Sequence, residues 1–139
     1  MGERIDQFCE DLRTKLTKID DSLADLKAKI DGKAQDAERD VQNHLDEVRK
    51  HIASDQAKVA AANAKMAKWV EQKKAASNAK IAEWKTQHEI AKLQNRAESA
   101  EAYADAARVV AAAALDEAEQ ASLEAWLARQ DATVAQQAR

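Results

Sequence analysis

The sequence predicts an all-α protein: an elongated antiparallel helical hairpin of coiled-coil type with a third, shorter helix beside it. Three observations lead there. Of 139 residues 33 are Ala, none is Pro, and Gly occurs only at positions 2 and 32, so nearly every local preference is helical. Apolar side chains recur at helical spacing in two distinct phases. Finally, "AESAEAYADAARVVAAAALDEAEQASLEAWLARQDATVA" puts alanine at 97, 100, 104, 107, 111, 114, 118, 121, 125, 128, 132 and 135, the alternating steps of three and four that mark a coiled-coil seam.

The first helix is expected over about 3–31. Ile5, Leu12, Leu16, Ile19, Leu23 and Ile30 fall on one face at 100° per residue. Cys9 is the only cysteine, which excludes an internal disulfide and a cysteine metal cluster, and it reads as a small buried hydrophobe on the helix stripe rather than a reactive or intermolecular thiol. The boundary is set at Gly32, the one internal glycine, which follows two lysines suited to a helix C-terminus. Ser54 in "HIASDQAK" is the alternative start of the next helix.

The second helix is expected over 33–84, carrying the same phase through Val41, Val48, Ile52, Val59, Met66, Val70 and Trp84. Within it "NAKMAKW" recurs as "NAKIAEW", about four helical turns later. Trp84 lies in the main stripe and reads as core. Trp69 lies about 80° off it at helical pitch and reads as a contact with another chain. The third helix is expected over 88–137, because Ile90 and Leu93 abandon the earlier phase and Thr86 and Glu89 have capping-box spacing, which puts a turn near 85–88. These helices make a single domain over 1–139, whose two long arms would each run roughly 75 Å.

An alanine seam lets helix backbones approach more closely than leucine would, at the cost of little buried area per turn. An arm built this way is expected to need a partner. Its contact residues are expected to be Trp69, Ala104, Ala107, Ala111, Ala114, Ala118 and Trp126. Leu123, Trp126, Leu127 and Val134 form a second apolar face for the first helix to cover. Leu, Ile, Val and Phe number only 23 in the whole chain, few for a globular core.

Charge is segmented. Residues 1–48 hold 8 basic and 13 acidic side chains, 49–96 hold 11 and 4, and 97–139 hold 3 and 8, an arrangement that sets orientation between antiparallel neighbours. The seven lysines of 58–85, with Trp69 and Trp84, also suit an anionic lipid surface. Nucleic acid is not expected, because the chain carries a net −3 and a pI near 5.7.

Catalytic patterns do not emerge: there is no glycine-rich phosphate loop, HExxH or nucleophile motif. The chain reads as a non-enzyme without a cofactor. His44, Glu47 and His51 in "HLDEVRKH" share a helix face at i, i+3, i+7 and are the one metal-ligand candidate, against a reading as solvated polar residues. No signal peptide, spanning segment or myristoylation pattern is evident, and a cytoplasmic protein is expected.

Charged, alanine-rich helices of this kind occur in phasin-like granule coats, exchangeable lipid-binding proteins and structural coiled coils, and composition does not separate them. The functional expectation is a helical scaffold that self-associates as a homodimer or pairs with another helical protein. The alternatives are a peripheral lipid- or granule-surface binder, or a bundle that holds a metal or small ligand.

Overall fold

The computed structural model describes residues 2–33 and 35–138. The described residues form four helices: α1 Gly2–Asp31, α2 Ala37–Ala75, α3 Asn78–Thr86 and α4 Ile90–Gln137. No strand occurs among the described residues, as the composition requires. Among the described residues no helix is long and apolar enough to cross a membrane. The chain divides into two compact units, one of residues 1–54 with 112–139, the other of residues 55–111.

In the first unit α1, the start of α2 and the end of α4 surround one aliphatic cluster. Leu26, Val41, Leu45, Val48 and Leu123 are buried, with Leu23, Ile30, Ile52, Trp126 and Leu127 packed around them. Leu23, Ile30, Val41, Val48 and Ile52 belong to the predicted apolar stripe and Leu123, Trp126 and Leu127 to the second face of α4, so this part of the helical phase reading holds. Leu26 and Leu45 join the core from outside the predicted stripe, and Val134 of the second face is exposed. Lys15 pairs with Asp116, and further along both helices Leu26 and Leu123 share the core. α1 and this part of α4 therefore run the same way, with α2 returning between them.

The first turn follows Asp31, where the glycine predicts it, but among the described residues glycine is not its left-handed one. Lys33 takes φ 54°, and no glycine has positive φ. Gly32 N–H bonds the Ala28 carbonyl at 2.9 Å and Lys33 N–H the Ile30 carbonyl at 3.1 Å, closing α1. An ion pair between Lys29 and Asp40 straps the end of α1 to the start of α2. Ser54 lies inside α2, where its hydroxyl donates to the His51 carbonyl, so it caps nothing.

The second unit contains the rest of α2, all of α3 and the start of α4. The helix expected over 33–84 is broken at 76–77. Ser77 has extended backbone and its hydroxyl oxygen accepts from Lys80 N–H at 3.2 Å, an N-cap that begins a new helix. The repeat hides this signal, because "NAKIAEW" is helical in both copies and the serine stands just before the second. α3 ends as the phase break predicts. His88 takes φ 53°, and Glu89 N–H reaches back to the Trp84 carbonyl at 2.9 Å in a Schellman-type closure. Thr86 is not the cap of α4. It sits in the last turn of α3 and donates to the Ala82 carbonyl.

The alanine seam is where expectation and structure part. Ala104, Ala111, Ala114 and Ala118 are exposed, as are all the seam alanines from 121 onward, and Ala107 is half-buried. The buried line of α4 instead runs through Ala106, Asp116, Glu119 and Leu123, with Tyr103, Val110, Ala113 and Leu127 half-buried beside it. At 100° per residue the seam stands about half a turn away from that line. The cause is area: turning the Val110, Leu123 and Leu127 side inward removes far more apolar surface from water than turning the alanine side inward. Small-residue packing does occur, at other alanines. In the second unit the buried residues are Ala62 and Ala106, at 3% and 2% exposure.

Candidate functional site

Three features stand out for binding or chemistry. The first is a polar junction inside the aliphatic unit. Asp116 and Glu119 are the buried charged residues of the described chain, at 6% and 9% exposure. Each has a partner from another helix: Lys15 Nζ lies 2.6 Å from Asp116 Oδ1, and His44 Nε2 lies 3.1 Å from Glu119 Oε2. Burying a carboxylate is costly unless a charged or hydrogen-bonded partner replaces water, so these two pairs fix how the three helices align. They border a cavity of about 320 Å³ with Glu47 and His51 beside it.

His44, Glu47 and His51 therefore flank one cavity, as their spacing predicts, but His44 is engaged with Glu119. Among the described residues no group of three or more His, Cys, Asp and Glu is placed to hold a metal ion. Asp116 and Glu119 are the members that sequence reasoning missed. Their only signal is an acidic i, i+3 pair interrupting the apolar face of α4.

On the surface of this unit two more ion pairs join elements. Arg49 Nη2 lies 3.0 Å from Glu124 Oε1, and the Gln120 amide also donates to Glu124 at 2.9 Å. Gln120 first and Arg49 second hold the Glu124 carboxyl below its ordinary value. The hydrogen bond to Asp40 raises the Lys29 ammonium above its ordinary value.

The second feature is a groove wholly within residues 69–96, between the end of α2, α3 and the first turns of α4. Its volume is about 560 Å³. Trp69 and Trp84 are half-buried in it. Arg96 stands 5.9 Å from the Trp69 ring centroid and Lys92 5.9 Å from that of Trp84, a cation–π distance in each case. On another side Trp69 meets Tyr103, with centroids 6.4 Å apart and planes tilted by 40°. Trp69, expected to face another chain, thus packs within its own unit, while Trp84, expected in the core, is only half-buried and lines the groove.

The third feature is outward-facing. The N-terminal half of α1 carries Ile5, Phe8, Leu12 and Leu16 exposed, Ile5 at 59%, although further along the helix Leu26 is buried with Leu23 and Ile30 half-buried beside it. Cys9, expected to be buried, is exposed as well, because this half of α1 has no neighbour over that face. The alanine face of α4 is a second outward apolar strip, and Trp126 is half-buried against the core.

No protein-family model matches the chain, and no curated protein or solved structure is similar to it.

Proposed function

We propose that the protein is a non-enzymatic helical scaffold of the cytoplasm that self-associates as a homodimer. The observation that carries this reading is the α1 stripe of Ile5, Phe8, Leu12 and Leu16, amphipathic in sequence and uncovered in the folded chain. A contiguous apolar strip of this kind on a folded domain marks a contact surface. The smooth alanine face of α4 is its natural counterpart in a second copy, because alanines admit a close-packed helix where larger side chains would hold it off. A two-fold arrangement repeats that contact twice.

The α1 strip and the alanine face of α4 both carry a slight to clear acidic excess, so this pairing rests on apolar contact, and it should tighten as salt screens the like charges. Light scattering of the full chain at micromolar concentration should give twice the monomer mass, and Leu12→Lys or Ala111→Leu should shift it towards the monomer. A monomeric wild type that floats with anionic vesicles would replace this reading with that of a lipid- or granule-surface binder.

A further inference from the structure

The Trp69–Trp84 groove has a composition that self-association does not call for. We propose that it binds a ring-bearing phosphate of mononucleotide size, the ring lying on Trp69 or Trp84 and the phosphates among Lys73, Lys80 and Arg96. This site is independent of the dimer contact and stands or falls separately from it.

Charge carries the argument first. Lys73, Lys80, Lys92 and Arg96 all border the groove, and none of its lining residues is acidic. Lys92 has a loose exposed pair with Glu89 at 3.9 Å, and no carboxylate stands within ion-pair distance of Lys73, Lys80 or Arg96 among the described residues. Elsewhere the fold spends its carboxylates on its cations, as at Lys15, Lys29 and Arg49. In a chain with net charge −3, four cations around one concavity repel one another, and a bound anion relieves that repulsion. Phosphate oxygens suit the mixed set, an arginine fork with lysine ammoniums.

The tryptophans then narrow the ligand. A bare anion needs only the cations, whereas two half-buried indoles add flat apolar surface on which a planar ring stacks. The cations already stand beside those rings, so one molecule reaches both. A volume of about 560 Å³ lies within the range of small-ligand pockets. A polymer strand is disfavoured by what adjoins the groove. Across Trp69 the next depression, lined by Lys65 and Lys68, also contains Glu98, which opposes a continuing phosphate backbone.

The test is titration of the full chain with ATP, read by tryptophan fluorescence excited at the red edge, beside tripolyphosphate and phosphatidylglycerol vesicles. Saturable quenching by ATP is expected, with tripolyphosphate weaker by about tenfold or more for want of a ring. The double variant K80A/R96A, both exposed positions, should weaken ATP by about tenfold or more with unchanged far-UV circular dichroism. Equal binding of tripolyphosphate, an unaffected double variant, or response to vesicles alone would overturn the proposal. Should the variant lose helicity, amide chemical shifts of the wild-type chain decide: ATP-induced changes confined to 69–96 support the site, and changes elsewhere or none overturn it.

Discussion

The two units solve the same problem, holding helices together, with different materials. In one, Val41, Leu45, Val48 and Leu123 supply a buried aliphatic core and two buried carboxylates find partners on neighbouring helices. In the other, Ala62 and Ala106 are the buried residues, and the large side chains, Trp69, Trp84 and Tyr103, line surfaces or stack at its flank. An aliphatic core stabilises by area. A small-residue core stabilises by close approach and leaves its aromatic residues available to a ligand. The difference teaches where each kind of substitution hurts.

The largest expected effect is in the aliphatic unit. Leu45 is 1% exposed, and Leu45→Ala should cost about 2–5 kcal/mol, measured by urea unfolding. A loss below 1 kcal/mol on the order of an exposed site would break the contrast. Next comes the polar junction. Lys15→Met strands Asp116, whose carboxylate is 8% exposed, and should cost about 1–3 kcal/mol. Asp116→Asn in the same background should recover part of that loss, since the uncompensated charge is removed, and an additive double variant would show that the pair is not coupled.

The alanine unit is broken by addition. Ala62→Leu should overpack it, at about 1–3 kcal/mol, whereas Ala64→Leu on the exposed side of the same helix should stay within about 0.5 kcal/mol. Equal effects would mean that α2 is rotated from the orientation described. The smallest effects are surface titrations. Glu124 has its pKa lowered by Gln120 and Arg49, so its contribution is present above the ordinary 4.5 and is lost as pH falls through the folded value. Glu124→Gln should therefore flatten the acid limb of the melting profile. Lys29 has its pKa raised by Asp40, so its contribution is present below 10.5 and is lost as pH rises through the folded value, and Lys29→Met should flatten the alkaline limb.

Much of this architecture was legible from residue spacing. The stripe from Leu23 through Ile52, the second face around Leu123 and the reversal near 87–89 follow from phase, because burying a large side chain is strongly enforced. The alanine phase misled because alanine is favourable both in a tight seam and on an exposed helical face, so periodicity there is compatible with either. The break at Ser77 rests on one capping hydroxyl inside a repeat. The groove was half legible: the lysines and tryptophans of 58–85 stand out, but Lys92 and Arg96 join them only because α4 returns alongside.

Lys33 and His88 hold the left-handed positions of the two principal turns. A side chain with a Cβ is strained there, and glycine or asparagine is the usual occupant. Neither turn has been tuned for rigidity. The protein thus keeps a reserve of thermal hardening at two solvent-exposed positions, remote in kind from its core, its buried ion pairs and its aromatic groove, which a protein engineer can draw on without touching any of them.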